Sequence, residues 1–167
     1  MKIRIDKLYE GEHRFETQLE PEALELNGTQ FANPIEVTAL WDRQGPHACI
    51  QFEISTHIAS QCDRCLDDLQ LEIDTTIGIV VQFSDDVPRD SDDPDYRIIS
   101  FSDVEIDFTM DIRDAILLAI PTKILCSEDC KGLCPQCGQN LNCKTCKCVV
   151  ETINPQWTAL MTLKKTT

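Results

Sequence analysis

Ten cysteines in 167 residues, eight of them in close pairs, restrict what this chain can fold into more than any other feature of its sequence. The pairs are Cys62-Asp-Arg-Cys65, Cys126-Ser-Glu-Asp-Cys130, Cys134-Pro-Gln-Cys137 and Cys146-Lys-Cys148, with Cys49 and Cys143 left over. No apolar run approaches the roughly 20 residues that cross a bilayer, and the start, Met1-Lys-Ile-Arg-Ile-Asp6, alternates charge with Ile where a signal segment would be apolar. A cytoplasmic location is therefore expected. In that reducing compartment, CxxC spacings point to metal or redox chemistry and away from structural disulfides.

Zinc takes about four soft ligands in a tetrahedron near 2.3 Å, and two cysteines two or three residues apart can reach one ion from a single turn. The four pairs could thus fill two structural sites. Cys134-Pro-Gln-Cys137-Gly138 is a zinc-knuckle pattern, in which Gly138 frees the backbone to turn behind the second ligand. Its closing half is expected in Cys146 and Cys148. Cys143 competes with Cys148 for the fourth place, because Cys143-Lys-Thr-Cys146 is itself a CxxC, and spacing alone does not decide. A second site would join Cys62 and Cys65, in a loop between strands, to Cys126 and Cys130.

Other chemistries find less support. A redox dithiol needs its CxxC at a helix N-terminus in a βαβ setting, and neither CxxC has that setting. Catalytic zinc usually keeps an open position and has His or an acid among its ligands. His13, His47 and His57 lie far in sequence from the cysteine cluster, form no HExxH, and are read as surface or strand residues. With neither a GxSxG nor a Gly-rich phosphate loop, no catalytic residue is assigned and no small-molecule substrate is expected.

Alternating apolar residues predict strands at Lys2–Asp6, at Ile35–Trp41, from Ala48 to Ile58, and again from Leu69 to Phe83. The turn-rich Asp42-Arg-Gln-Gly-Pro46 reads as a five-residue hairpin connection. Ser84–Asp95, with six aspartates and two prolines, reads as a solvated surface loop without the spacing of a Ca²⁺ site. Phe108, Ile112, Ile116 and Ala119 give residues 105–120 a helical apolar stripe, read as core packing. Glu105, Asp107 and Asp111 fall in its first turns and Pro121 ends it. A further short helix is expected over Pro155–Lys165.

These elements predict an α+β fold: an antiparallel sheet that could close toward a barrel, one packed helix, and a C-terminal zinc-knuckle tail. The expected division is a sheet-plus-helix body over residues 1–122 and a cysteine-rich zinc-binding tail over 123–167. Charge divides at the same place, with 9 Lys/Arg against 26 Asp/Glu in the body and 6 against 3 in the tail. The overall charge of −14 argues against a surface given over to nucleic acid. Zinc held by four thiolates would also erode the tail's positive balance, leaving it mildly basic at best.

In the order and spacing of Cys62-Asp-Arg-Cys65-Leu66, the acidic loop, the helix ending at Pro121, Cys130-Lys-Gly-Leu-Cys134-Pro-Gln-Cys137-Gly-Gln-Asn-Leu-Asn142 and Cys146-Lys-Cys148, the chain resembles the YceD family of large ribosomal RNA subunit accumulation proteins. The resemblance implies a bacterial or plastid protein that supports large-subunit (23S) ribosomal RNA accumulation and ribosome biogenesis without an assigned catalytic activity. It implies separate core and tail sites, and it favours Cys148 over Cys143. One or two zinc ions would then be held by Cys62, Cys65, Cys126, Cys130, Cys134, Cys137, Cys146 and Cys148. The expected partners are the large-subunit RNA precursor or ribosomal proteins, approached by Lys131, Lys144, Lys147, Lys164 and Lys165, and not a membrane. The alternatives are a thiol-disulfide oxidoreductase using Cys62 and Cys65, and a zinc-dependent protein-binding adaptor unrelated to ribosomes.

Overall fold

The computed structural model describes residues 1–148 except Lys7, Asn27, Thr29, Ala32, 86–92 and Pro94. Most of the acidic segment, the helix expected over Pro155–Lys165, and Lys164 and Lys165 thus lie outside the described residues. Two compact units are formed, one from Met1–Ser60 with Asp68–Lys123 and the other from Gln61–Asp67 with Ile124–Thr167. Among the described residues, no helix is long and apolar enough to cross a membrane.

The first unit is built on strands β1 (Lys2–Arg4), β2 (Gly11–Leu19), β3 (Ile35–Gln44), β4 (His47–Gln61), β5 (Asp68–Phe83), β6 (Tyr96–Ile99) and β7 (Glu105–Asp107), followed by helix α1 (Thr109–Ala119). Strict alternation fixes which face of the sheet is buried. Ile35, Val37, Ala39 and Trp41 of β3 point inward with Ala48, Ile50, Phe52, Ile54 and Ile58 of β4. The antiparallel register sets Ala39 against Phe52 and Trp41 against Ile50, so the large residues of both strands enter one core. Glu36, Glu53 and Asp74 lie on the opposite, exposed face.

The sheet is open and mixed. Its order is β2-β3-β4-β5-β6, while β1 and β7 form a separate two-stranded pair. The expected closure toward a barrel does not occur, because β2 and β6 remain edges that do not pair with each other. Nor is the sheet wholly antiparallel, since β6 runs parallel to β5 with Val80 beside Tyr96 and Phe83 beside Ile99. The 12 residues between β5 and β6 are about the least that a parallel crossover requires.

The β3–β4 connection is shorter than expected. Asp42–Gln44 stay in the ladder opposite Cys49, Ala48 and His47, leaving a two-residue turn at Gly45 and Pro46, where Gly45 has φ +62°. The helix begins later than the acidic pattern suggests. Glu105-Ile106-Asp107 alternates with period two and pairs with β1, which buries Ile106 opposite Ile3. Only Asp111 remains in the first turn of α1, and the helix stops at Ile120, just before Pro121.

Phe108, Ile112 and Ile116 are fully buried, so the helical stripe is core. The Phe108 ring lies 5.0 Å from that of Phe52, and Arg97 Nη2, which donates to both carboxylate oxygens of Asp111 at 2.5 and 2.7 Å, ties β6 to α1. Truncating Phe52 would leave a void between sheet and helix. Phe52→Ala is expected to destabilise this unit by about 3–5 kcal/mol in a urea titration followed by far-ultraviolet circular dichroism.

Candidate metal centres

Both candidate centres lie in the second unit, and each starts from the same backbone turn. After Cys62, the Leu66 N–H donates to the Cys62 carbonyl and the Cys62 N–H to the Asp67 carbonyl, both at 2.9 Å. After Cys134, the Gly138 N–H donates to the Cys134 carbonyl at 2.8 Å and the Cys134 N–H to the Gln139 carbonyl at 2.9 Å. The fifth residue of each turn is left-handed, with φ +61° at Leu66 and +72° at Gly138. The two CxxC segments are therefore two copies of one knuckle, one with the expected glycine and one without it.

Cys62 and Cys65 meet Cys126 and Cys130, and Cys134 and Cys137 meet Cys146 and Cys148; within each group all four sulfurs lie within 4.8 Å of one another. In the first group, Cys62 Sγ is 3.8 Å from Cys130 Sγ and Cys65 Sγ is 3.5 Å from Cys126 Sγ. A zinc tetrahedron with bonds of about 2.3 Å has sulfur–sulfur edges of about 3.8 Å, whereas a disulfide bond is about 2.0 Å long. All ten cysteines are free thiols. The spacing, ligand number and softness of both groups fit zinc, which would supply a four-coordinate cross-link with no open position.

The electrostatics of the metal-free thiols is divided within each group. Burial opposes ionisation of Cys62, but backbone hydrogen bonds from Cys126, Cys65 and Arg64 outweigh it and hold this thiol down at about 6. Cys130 is also lowered, first by the Asn142 amide. Cys126 is raised, chiefly by Cys130 beside it. Cys65 moves up as well: the Asp67 backbone favours its thiolate, but burial and the side chains of Asp67, Cys62 and Cys126 prevail. In the second group, the backbone of Cys137 and Gln136 holds Cys134 down at about 6, while Cys148 is pushed up to about 12 beside Cys137. Some sulfurs ionise readily and their charge keeps protons on the rest. A divalent ion removes that conflict by displacing the remaining protons.

Residues between the ligands lock the first group in place. The Asp63 carboxylate accepts the Ile124 N–H at 2.7 Å, and the Arg64 guanidinium donates to the Cys130 carbonyl at 2.9 Å. Asn140 donates to both carboxylate oxygens of Asp67 at 3.1 and 3.0 Å, and Asn142 donates to Cys130 Sγ at 3.2 Å. Arg64, Gly132, Asn140 and Asn142 stand inside the segments that carry the family resemblance, without a role assigned to them there, and Asp67 stands just outside them.

Cys143 is exposed and belongs to neither group, as does Cys49 on β4. His13, His47 and His57 lie in β2 and β4 and join neither group. Lys131, Lys144 and Lys147 are exposed near the ligands in sequence.

Gly132 has φ +73°, and a Cβ there would stand 2.9 Å from the Arg64 carbonyl oxygen. Gly132→Ala should therefore combine left-handed strain of about 1–2 kcal/mol with a backbone clash. Leu66→Gly removes similar strain at an exposed position, offset by roughly 0.5–1 kcal/mol of backbone entropy. Denaturant titration of the zinc-loaded chain, with released zinc read by a colorimetric chelator, should show loss of stability for Gly132→Ala and a neutral or stabilising effect for Leu66→Gly.

A model of the YceD family, described as large ribosomal RNA subunit accumulation protein YceD, matches residues 50–164. The Bacillus subtilis uncharacterised protein YlbN is 32% identical over 129 residues, covering 71% of this chain and 72% of that protein. The maize large ribosomal RNA subunit accumulation protein YCED homolog 1, chloroplastic, is 28% identical over 152 residues, covering 75% of this chain and 52% of the maize protein. An uncharacterised protein of Mycobacterium tuberculosis is 28% identical over 108 residues, covering 65% of this chain and 51% of that protein. The chain thus spans about half the length of the mycobacterial and maize relatives. No solved structure matches it. The match to the family description takes in all four cysteine pairs, and the chain belongs to the YceD family of large ribosomal RNA subunit accumulation proteins.

Proposed function

We propose that this chain is a non-catalytic factor supporting accumulation of large-subunit (23S) ribosomal RNA in the cytoplasm, with two structural zinc ions. Cys62, Cys65, Cys126 and Cys130 hold one, and Cys134, Cys137, Cys146 and Cys148 hold the other. The observation that carries the zinc reading is the convergence of each set of four sulfurs at tetrahedral spacing, with cross-contacts of 3.8 and 3.5 Å in the first. The ribosomal reading rests on the family description and on the name of the maize relative.

The metal in this reading is architectural, and the body over 1–122 and tail over 123–167 act as a scaffold for binding. Lys131, Lys144, Lys147, Lys164 and Lys165 approach the RNA precursor or a ribosomal protein, while the acidic body keeps the factor from binding RNA indiscriminately. A thiol-disulfide oxidoreductase at Cys62 and Cys65 is the weaker reading. Its attacking sulfur would have to be accessible, and Cys62 is 0% exposed.

Protein purified without chelator should carry about two zinc ions per chain, falling to about one in Cys62→Ser/Cys65→Ser. One zinc in both proteins would leave Cys62 and Cys65 free of metal and return the oxidoreductase to first place. In the source cell, depletion of the protein should lower large-subunit ribosomal RNA relative to small-subunit RNA. The wild-type gene should restore the ratio and Cys134→Ser/Cys137→Ser should not; an unchanged ratio on depletion would remove the ribosomal role.

A further inference from the structure

We infer that Asn142 is a positioning residue through which the second cysteine group sets the metal affinity of the first. The inference rests on the reading of both groups as zinc sites.

Asn142 lies between Cys137 and Cys146, so its stretch of chain is held on both sides by ligands of the second group. Its side chain, however, serves the first. The Lys131 N–H lies 2.7 Å from Asn142 Oδ1 and can only donate, which fixes the amide so that Nδ2 is the atom 3.2 Å from Cys130 Sγ. Four thiolates around one divalent ion leave two excess negative charges, and an N–H directed at one sulfur disperses part of that charge while orienting the ligand.

The neighbouring residues of the same stretch hold the other half of the first group. Asn140 Oδ1 accepts the Asn142 N–H at 3.0 Å, so its Nδ2 is left for Asp67, whose carbonyl closes the Cys62 knuckle. The Leu141 N–H donates to the Gly132 carbonyl at 2.9 Å, and the Leu133 N–H to the Arg64 carbonyl at 3.0 Å. Loading the second group fixes this loop, and the loop fixes Cys130 and the Cys62–Cys65 knuckle before their own metal arrives. By linkage, a metal in the first group must strengthen binding in the second by the same factor.

The discriminating variant is Asn142→Asp in the full chain. It keeps the oxygen that accepts the Lys131 N–H but sets a charged oxygen in place of the N–H facing Cys130 Sγ, so the neutral Asn142→Ala, which removes the donor without adding charge, is measured beside it and must weaken the first group as well. Stepwise zinc affinities are read by chelator competition, and the second group is assigned by its own titration in the Cys62→Ser/Cys65→Ser background. First-group affinity is expected to fall by about 10- to 100-fold in Asn142→Asp. Cys134→Ser/Cys137→Ser, which removes the second site, should weaken the first in the same direction. Zinc retained at the second group of Asn142→Asp reports that the loop has folded. First-group affinity equal to wild type in Asn142→Asp would overturn the inference. A wild-type chain that binds zinc only at the second group would overturn the underlying zinc reading instead, and is measured before any variant is made.

Discussion

Four sulfurs converging at tetrahedral spacing are the constraint on which the second unit depends. Among its described residues only Cys62, Cys65, Cys130, Gly132 and Cys134 are buried; Ile124, Leu125, Leu133 and Leu141 are only half-buried, and Leu66 is exposed. So small an assembly does not remove enough apolar surface from water to offset the entropy of ordering its backbone. Its interior is sulfur, and partly ionised sulfurs at this distance repel one another unless a cation lies among them. The first unit is the opposite case. Trp41, Phe52, Phe108 and a run of Ile and Val residues fill one face of a sheet, and hydrophobic burial alone suffices there.

The two knuckles show how much of that arrangement is local. Cys62–Asp67 and Cys134–Gln139 make the same pair of backbone hydrogen bonds from unrelated intervening residues, because the turn is set by where two sulfurs must point. What differs is the fifth residue. Gly138 adopts its left-handed conformation freely, whereas Leu66 does so against about 1–2 kcal/mol of strain and without burial in return. That strain is held by tertiary contacts: Asp63 to Ile124, Arg64 to the Cys130 and Leu133 backbones, and Asp67 to Asn140. The first knuckle is thus more dependent on its surroundings than the second, which fits a site whose geometry is set by the loop of its neighbour.

Legibility in the sequence follows the same line between local and distant causes. The four pairs are visible because the spacing of two ligands on one turn is a local property, and the buried strands are visible because Ile, Val and Phe alternate in β3, β4 and β5. Strand β2 escapes this reading, since its inward positions His13, Phe15, Thr17 and Leu19 are mixed in character and only half-buried at the sheet edge. The acids Glu105 and Asp107 suit a helix N-terminus as well as an exposed strand edge, and only pairing with Lys2–Arg4, about a hundred residues earlier, decides between them. Whether a sheet closes is likewise a relation between its first and last strands that no window of sequence contains. The role of Asn140 is hidden because Asp67 lies more than 70 residues away, and that of Asn142 because no spacing rule marks an amide directed at Cys130 Sγ.

Charge also bears on which partner the second unit can recognise. In its described residues, Arg64, Lys131, Lys144 and Lys147 are offset by Asp63, Asp67, Glu128 and Asp129 before any metal is counted. Each four-thiolate zinc site would add two negative charges, so the loaded unit has no net positive field with which to attract phosphates at a distance. Arg64 and Asp67 are also committed to internal bonds. In the proposed role, non-specific counterion release would therefore supply little affinity for RNA. Contact with a ribosomal precursor would then come from a few lysines beside the knuckles set against particular phosphates, or from a basic protein meeting the acidic sheet face. Binding of the first kind would have a shallow salt dependence, set by the small number of phosphates neutralised. Binding of the second kind would weaken with salt because the attraction between opposite surfaces is screened. Under the proposed zinc reading, the number of ions bound would then matter to recognition as well as to folding, since each ion would fix the turns beside which Lys131, Lys144 and Lys147 stand.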